Sequence, residues 1–412
     1  MIYKSDFLNE IHKRGFIYQS SDIEDLDNLI NKKKITGYIG FDITSDSLHV
    51  GSLVQLMLLY WLDYYGHNTI ALMGGGTTLI GDPSGKDQSR KIIKKKDIDK
   101  NIVRIKKTFE KFINLSKNGK LINNYEWLAD INYIKFLRDI GSKITINRML
   151  TFESIKNRLD REQALTFLEF NYMLLQSYDF YYLNTKYKCE LQMGGSDQWG
   201  NIIGGIDLIR RMNSKKAFAI TSPLVTNTDG SKMGKTVDGA IWLDEKKLSN
   251  FDFYQFWRNV DDVHVPKFLN LFTKLTNQEI DKLSKLKGQE INEAKKILAF
   301  EITQLVRGKL EAREADEISN NIFDKNNLDS RIVSYKVNLK NIEDSSFSIL
   351  DALEKLNLVK SRSESKRLIK SNGIKINDVI YKNNDLSLLN YKNKQEIKIT
   401  VGKKKIGIIK IK

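Results

Sequence analysis

Three short apolar runs that end in glycine-rich turns constrain the fold of this chain more than any other feature. The runs are "TGYIGFD" (36–42), "NTIALMGGG" (68–76) and "YKCELQMGGSDQWGN" (187–201). They alternate with helical patterns, as is typical of a parallel sheet with crossover helices. A fourth run, "KAFAITSPLV" (216–225), leads into a loop with two lysines. Because ligands of open α/β sheets lie beyond the carboxyl ends of the strands, we expect these turns to share one crevice.

Changes of composition divide the rest of the 412-residue chain, a length that suggests roughly two to four domains. We predict a parallel-sheet domain over residues 1–225 and a lysine loop with a charged helical domain over 226–325. Residues 326–345, rich in Asn, Asp, Lys and Ser, predict a linker. Residues 346–412 combine helical and alternating patterns and predict a small α+β domain.

The composition excludes several classes of protein. The hydrophobic fraction is 41% and the charged fraction 29%, which fits a folded core rather than a disordered chain. Cys189 is the single cysteine, so a disulfide framework is excluded, and a buried residue in a strand is favoured over a nucleophile. No apolar run approaches the ~20 residues that cross a bilayer. We expect a soluble cytoplasmic protein without membrane contact.

The positive charge is concentrated at one end of the chain. The net charge is +16, and residues 355–412 hold 16 Lys and Arg against four Asp and Glu, a net +12. A general excess of Lys, Asn and Ile, as in an AT-rich genome, would not produce this concentration. The distribution therefore indicates a polyanionic partner for the C-terminal region.

The loop "DGSKMGKTVDG" (229–239) places Lys232 and Lys235 in a glycine-rich stretch. Such a stretch is typical either of a solvated surface turn or of a mobile loop that closes on a polyanion. His49 precedes Gly51 at the start of a helix, where free N–H groups and the helix dipole favour phosphate. The turn "GDPSGKDQSR" (81–90) lacks the spacing of a P-loop, but it adds charged residues to the same crevice.

Two further segments offer polar groups for a small ligand. Asp197 and Gln198 follow paired glycines, where an acidic residue holds a ribose or caps a helix. In "FNYMLLQSYDF" (170–180), Tyr172, Gln176 and Asp179 are spaced by four and three residues and therefore share one helical face. Such a face suits a zwitterionic or phenolic ligand, although an ordinary core helix has the same spacing.

Together these segments resemble the bacterial tyrosyl-tRNA synthetases, a family of class I aminoacyl-tRNA synthetases. "HVGS" is similar to the HIGH signature, "KMGKT" to the KMSKS loop, and "GDPSGK", "EFNYMLLQSYDF" and "GGSDQWGN" stand in the order of the family. The resemblance covers about residues 36–243 and resumes in the C-terminal module. Two positions depart from it: Ser52 replaces the second histidine of HIGH, and Ile39 replaces a small polar or thiol side chain.

The resemblance implies a Rossmann-like catalytic domain, an α-helical domain and a small α+β RNA-binding domain. Tyr38 and Asp179 would bind the phenol of tyrosine. Tyr172, Gln176 and Asp82 would bind its α-amino group, and Gln198 its carboxylate region. The catalytic set implied is His49, Lys232, Lys235 and Gln198. The ATP-binding set implied is Gly40, Asp42, His49, Gly51, Ser52, Lys86, Arg90, Gly195, Asp197, Lys232 and Lys235.

The reaction implied has two steps. The carboxylate of tyrosine attacks the α-phosphorus of ATP and releases pyrophosphate, and a terminal ribose hydroxyl of tRNA(Tyr) then takes the tyrosyl group. Mg²⁺ is expected on the ATP phosphates, with no metal site of the protein itself. A tryptophanyl enzyme and an RNA-binding protein that has lost catalysis are the alternatives. A homodimer is also implied, with the helix after "HVGS" and residues 130–160 as candidate contacts.

The segment "SRSESKRLIKSNGIKIND" predicts a basic helix followed by a turn and a strand. Lys366 and Arg367 follow Arg362 by four and five residues and precede Lys370 by four and three, which places the four cations close to one helical face. A solvated lysine-rich helix is the simpler interpretation. The concentration of charge and the resemblance favour a site for the tRNA backbone.

Overall fold

The computed structural model describes residues 2–83, 93–226, 233–236, 239–323, 333–344, 346–359, 361–382, 386–402 and 405–411. These residues form two compact units, Met1–Asp316 and Glu317–Lys412. No helix among them combines the length and the apolar character that crossing a bilayer requires. The predicted fold class, a parallel-sheet α/β region followed by helices and a small α+β region, is confirmed.

A six-stranded sheet forms the centre of the first unit. Its strands are β1 (Gln19–Ser20), β2 (Thr36–Phe41), β3 (Asn68–Met73), β4 (Gly119–Asn123), β5 (Cys189–Gly195) and β6 (Phe218–Ser222). They lie in the order β1-β6-β5-β2-β3-β4; β1 is antiparallel to β6 and the other pairs are parallel. The four strands predicted from the apolar runs are confirmed. The edge strands β1 and β4 were not predicted.

Helices flank the sheet and continue beyond it. They are α1 (Asp6–Lys13), α2 (Ile23–Lys32), α3 (Leu53–Tyr64), α4 (Thr77–Ile80), α5 (Lys95–Phe109), α6 (Tyr125–Leu128), α7 (Tyr133–Asp139), α8 (Ile146–Leu150), α9 (Glu153–Asp160), α10 (Phe167–Tyr187), α11 (Trp199–Asn213), α12 (Asn250–Arg258), α13 (Val265–Phe272), α14 (Asn277–Leu283), α15 (Ile291–Val306) and α16 (Lys309–Phe323). A two-stranded ribbon, β7 (Lys235–Thr236) and β8 (Gly239–Ala240), follows β6 in the chain.

The order of the strands creates a switch point. Successive strands β2, β3 and β4 extend to one side of the sheet, whereas β5 and β6 extend from β2 to the other side. Connections that leave β2 and β5 in opposite directions open a crevice between their carboxyl ends. Cys189 begins β5 and is fully buried, as predicted, and burial raises the pKa of its thiol.

The second unit is an α+β module with a five-stranded sheet. Its elements are β9 (Val333–Val337), α17 (Leu339–Glu343), α18 (Ile349–Lys355), α19 (Arg362–Lys370), β10 (Ile374–Ile376), β11 (Val379–Ile380), β12 (Glu396–Val401) and β13 (Lys405–Ile411). Residues 333–343, inside the predicted linker 326–345, differ from that prediction because β9 pairs in parallel with β13. The other predicted domain boundaries stay a prediction.

A buried arginine joins the N-terminal helix to the helical region of the first unit. The Arg14 guanidinium is 3% exposed, and it lies 4.2 Å from the centre of the Trp61 ring. It donates to Glu10 Oε1 at 2.6 Å and to the carbonyls of Thr273 at 3.1 Å and Leu275 at 2.7 Å. Arg14 therefore satisfies carbonyls that follow α13 and have no helical partners of their own.

We predict that Arg14→Met lowers the free energy of unfolding of the first unit by about 3 kcal/mol, because it leaves a carboxylate and several carbonyls without their cation. Urea denaturation followed by tryptophan fluorescence would measure the change. Lys13→Met, at the exposed neighbouring position, is the control and should leave the transition almost unmoved. Equal losses in the two variants would contradict this account.

Candidate active site

The carboxyl ends of β2 and β5 open into a cleft of about 480 Å³. Most of the predicted site residues line it. They are Tyr38, Gly40, Asp42, His49, Gly51, Ser52, Asp82, Tyr172, Gln176, Asp179, Gly195, Asp197 and Gln198. Lys86, Arg90 and Lys232 lie outside the described residues; Lys235 begins β7, and its side chain is not described. The roles assigned to these residues stay predictions.

Helix α10 delivers three of the predicted side chains to the cleft. Its first turn is closed by a capping box in which Thr166 Oγ1 accepts from Glu169 N and the Glu169 carboxylate accepts from Thr166 N. This capping box fixes the residue at which the helix begins. The polar face of α10, with Tyr172, Gln176 and Asp179, lines the cleft as the spacing predicted.

Asp179 forms a buried acidic end of the cleft. Its side chain is 2% exposed, and its carboxylate accepts from Asn124 Nδ2 at 2.8 Å and from Trp127 Nε1 at 2.7 Å. Burial raises the pKa of Asp179 to about 7, the nearby charge of Asp42 adds to the rise, and the two hydrogen bonds oppose it. The carboxyl group is therefore a buried acceptor that changes its protonation near neutral pH.

Two buried polar groups of the sheet also line the cleft. The hydroxyl of Tyr38 and Oε1 of Gln192 are buried, line the cleft and have no hydrogen-bond partner among the described residues. Tyr38 and Gln192 are register neighbours on β2 and β5. Burial, followed by the charge of Asp179, raises the pKa of the Tyr38 hydroxyl, which stays protonated. Buried polar groups left in this state are costly unless a ligand supplies partners.

A chain of amide hydrogen bonds joins the other predicted contacts. Gln198 Nε2 donates to Asp82 Oδ2 at 2.9 Å, and Asn201 Nδ2 donates to Gln176 Oε1 at 2.9 Å and to Gln198 Oε1 at 3.3 Å. Asn201 thus orients both glutamines towards the cleft. On the same face of α10 as Gln176, the Tyr172 hydroxyl donates to Asp42 Oδ1 at 3.3 Å.

The geometry around His49 defines its tautomer. His49 Nδ1 accepts from Gly51 N at 3.0 Å, so the proton of the neutral ring is on Nε2. A Cβ at Gly51 would lie 2.6 Å from His49 Cε1, which means that only glycine leaves room for the ring. At Gly40 a Cβ would meet nothing within 4 Å, so that glycine leaves open space for a ligand.

The two departures from the family pattern also lie on the cleft. Ser52 precedes α3 and makes no capping hydrogen bond with its side chain. Ile39 is 1% exposed and packs in the main core as well as lining the cleft. One turn after Ser52, Gln55 Nε2 donates to Ser222 Oγ at 3.3 Å.

The basic face predicted in the second unit is present on α19. Lys366, Arg367 and Lys370 are exposed. Arg362 is exposed too, but its guanidinium is ion-paired with Asp351 and with Glu354. Lys366, Arg367 and Lys370 thus have no ion pair with any residue that the structure describes, whereas Arg362 is partly neutralised by α18.

Sequence reasoning missed the residues that support the predicted contacts. Asn124 and Trp127 follow β4 and hold Asp179, and Asn201 orients the glutamines. The only available signal was a cluster of Asn and aromatic residues in "NNYEWL" (123–128), after a strand that the sequence did not reveal. Gln192 precedes the glycines of β5 and was treated only as part of the strand.

Comparisons with known proteins agree with this geometry. A sequence profile described as "tRNA synthetases class I (W and Y)" matches residues 30–324. The tyrosine–tRNA ligase of Pelagibacter ubique is 48% identical over 404 residues, 97% of this chain and 98% of that protein. The tyrosine–tRNA ligase of Rickettsia bellii is 44% identical over 410 residues, 98% of this chain and 100% of that protein.

Solved structures show the same fold. A C-terminally truncated mitochondrial tyrosyl-tRNA synthetase of Aspergillus nidulans aligns with a TM-score of 0.70 and 29% identity over 77% of this chain and 94% of that chain. The profile covers most of the first unit, and the bacterial relatives extend the similarity through the second. The chain therefore belongs to the class I tRNA synthetases of the tryptophan and tyrosine group.

Proposed function

We propose that this protein is a tyrosine–tRNA ligase that forms tyrosyl-adenylate from L-tyrosine and ATP and then transfers tyrosine to the 3′ end of tRNA(Tyr). The near full-length relatives bear that name. The observation that carries the choice of tyrosine is the acidic end of the cleft, where the Asp179 carboxylate and the Tyr38 hydroxyl are both buried.

A phenol matches this pair of groups better than the alternatives do. A phenolic hydroxyl both donates and accepts, so it can donate to Asp179 and accept from Tyr38 at once. An indole N–H only donates and would leave the Tyr38 proton without an acceptor. A phenyl ring offers neither function and would leave two buried polar groups unpaired, at a cost that excludes phenylalanine.

The remaining predicted residues receive roles along the cleft. Asp82, Tyr172 and Gln176 would bind the α-amino group, with Gln198 beside the carboxylate. Asp197 and Gly195 would meet the ribose. The attacking carboxylate is already an anion, so the first step needs alignment and cations rather than a protein nucleophile. The Nε2 proton of His49 and the cations Lys232, Lys235, Lys86 and Arg90 would compensate charge on the phosphates.

Mg²⁺ would arrive with ATP. Among the described residues, no group of three or more His, Cys, Asp or Glu side chains is arranged to hold a metal ion. Phosphate oxygens and water are the usual ligands of Mg²⁺ in such reactions. A cytoplasmic location is supported by the single, buried cysteine of the chain.

ATP–pyrophosphate exchange with tyrosine, phenylalanine and tryptophan tests the proposed function, and only tyrosine should support rapid exchange. We further predict that tyrosine binds more tightly as the pH rises from 6 to 8, because Asp179, with a pKa of about 7, must be ionised to accept the phenolic proton. Titration calorimetry would measure the affinity.

The Asp179→Asn variant should lose both the pH dependence and much of the preference for tyrosine over phenylalanine. Asp63→Asn, which changes a carboxylate outside the cleft, should behave as the parent protein does. Tyrosine affinity that stays constant between pH 6 and 8 in the parent protein would contradict the role given to Asp179.

We propose that α19 binds the tRNA backbone through its exposed cations Lys366, Arg367 and Lys370. Replacing all three by Gln should weaken tRNA binding and reduce the slope of log K against log salt by roughly two to three. The slope falls because binding releases about one counterion fewer for each phosphate contact that is lost. Adenylate formation should not change. Filter binding of tRNA(Tyr) at several salt concentrations would measure the slope.

A matched control replaces three exposed lysines of α5, which are Lys96, Lys100 and Lys107. These changes remove the same charge from a different surface. If both triple variants lost the same slope, binding would depend on net charge alone, and the site on α19 would be wrong.

We also propose that the protein is a homodimer. Eight large apolar side chains between residues 133 and 168 are exposed, and such a concentration of exposed apolar side chains is typical of a protein–protein interface. They are Tyr133, Ile134, Leu137, Ile146, Leu150, Leu159, Phe167 and Leu168. Six of the eight lie within residues 130–160, one of the two contacts that the resemblance implied, and Phe167 and Leu168 follow it. The other, α3, has most of its residues buried within the subunit, so it offers little surface.

We predict that the parent protein sediments as a dimer at micromolar concentration and that the variant with both Ile134→Asp and Phe167→Asp sediments as a monomer. These side chains are 72% and 71% exposed, so the substitutions do not disturb the core. Val263→Asp, at a position 70% exposed outside this segment, should leave the dimer intact. A parent protein that is monomeric under these conditions would overturn the proposal.

A further inference from the structure

The backbone that presents His49 is held by a segment that lies far along the chain. His49 and Trp242 form an isolated antiparallel bridge, and Val50 N donates to Ile241 O at 2.9 Å. Ile241 N donates in turn to Gly234 O at 2.9 Å. Gly234 immediately precedes β7. Residues 241–243 therefore connect the backbone of His49 with the ribbon next to Lys235.

Side chains reinforce this pairing. The Trp242 ring meets the His49 ring edge to face, with 6.3 Å between their centres and 71° between their planes. On the Trp242 ring lies Lys247 Nζ, 4.3 Å from its centre, and Lys247 is also ion-paired with Asp46. The Asp46 carboxylate is three residues before His49. Two contacts thus link the turn at His49 to the segment that follows the lysine loop: the His49–Trp242 ring contact and the Asp46–Lys247 ion pair.

Arg307 holds the same segment from the helical region of the first unit. It is the C-cap residue of α15 and is 7% exposed. Its Nη2 donates to Trp242 O at 3.0 Å and to Leu248 O at 3.1 Å, and the guanidinium lies 4.8 Å from the centre of the Phe253 ring. One nitrogen thereby draws together two carbonyls six residues apart and fixes residues 242–248 on the end of α15.

We propose that Arg307 is a positioning residue for His49. By fixing the carbonyl of Trp242, it sets the position of the paired backbone and hence the place where His49 Nε2 meets the nucleotide. The consequence for catalysis rests on the proposed function, whereas the control of the His49 environment does not. Reacting groups that are misplaced by about 1 Å lose on the order of 100-fold in rate, so an arginine outside the cleft can matter for the chemistry.

Arg307→Met tests the inference, because Met keeps much of the bulk and donates no hydrogen bond. We expect kcat for tyrosine-dependent ATP–pyrophosphate exchange to fall roughly 10- to 100-fold, with the KM for tyrosine changed by less than about twofold. The matched control is Arg258→Met, which removes a guanidinium that donates to Asn292 O at 2.7 Å in the same helical region. That variant should keep its kcat.

A double-mutant cycle separates positioning from general stability. If Arg307 acts through His49, Arg307→Met should reduce kcat only slightly further in a His49→Ala background. A purely structural role would instead give losses that multiply. Losses that multiply, or a fall in kcat that Arg258→Met reproduces, would overturn the proposal.

A measurement without turnover keeps the inference separate from the proposed function. The chain has four histidines, so the NMR signal of ¹³C-labelled His49 can be assigned by its disappearance in His49→Ala. This signal should shift in Arg307→Met and not in Arg258→Met. Arg307→Lys, which keeps the charge without the planar fork, should shift it partially and serves if Arg307→Met does not fold. An unmoved His49 signal in either Arg307 variant refutes the proposal, whereas lack of exchange activity in the parent protein refutes only the proposed function.

Discussion

The reversal of strand order beside β2 is the constraint on which the site depends. Parallel strands require connections that cross one face of the sheet, and a chain that starts at β2 and builds outward in both directions leaves the carboxyl ends of β2 and β5 uncovered. Asp42 and His49, which follow β2, and Asp197 and Gln198, which follow β5, therefore line the same cleft. Gly40 on β2 and Gly195 on β5 line the cleft without a side chain, and residues of α10 form another of its walls.

The central strands could be predicted from the sequence because they are mainly apolar runs, three of which lead into turns that contain glycine. The edge strands could not: β1 is two residues long, and β4 is the short, mixed segment "GKLIN". Their place is determined by pairing with β6 and β3, which are distant in the chain. The same reason explains residues 333–343, whose polar composition indicates a linker although β9 completes the sheet of the second unit.

The residues of the site also fall into two groups, those that the sequence could predict and those that only the tertiary structure reveals. Tyr172, Gln176 and Asp179 were predictable because helical periodicity alone places them on one face. Asn124 and Trp127 were not, since only the tertiary structure brings them to Asp179. Gly51 shows a further limit: the sequence placed it at a helix start that favours phosphate, and only the structure shows that it also makes room for the ring of His49.

The two ends of the cleft differ in how their polar side chains are held. At the phenol end, Asp179 and Tyr38 are desolvated before any ligand binds. A carboxyl pKa raised from 3.8 to about 7 means that ionisation of Asp179 costs folding stability as the pH rises through that interval. In the proposed function, a bound tyrosine would offset part of this cost by pairing both groups, which would link recognition to stability. At the phosphate end, His49 is instead positioned by a segment from outside the sheet, and through Arg307 by the end of α15. In the proposed function, buried polar groups would thus select the amino acid, whereas backbone hydrogen bonds and ion pairs would align the charge that meets the nucleotide.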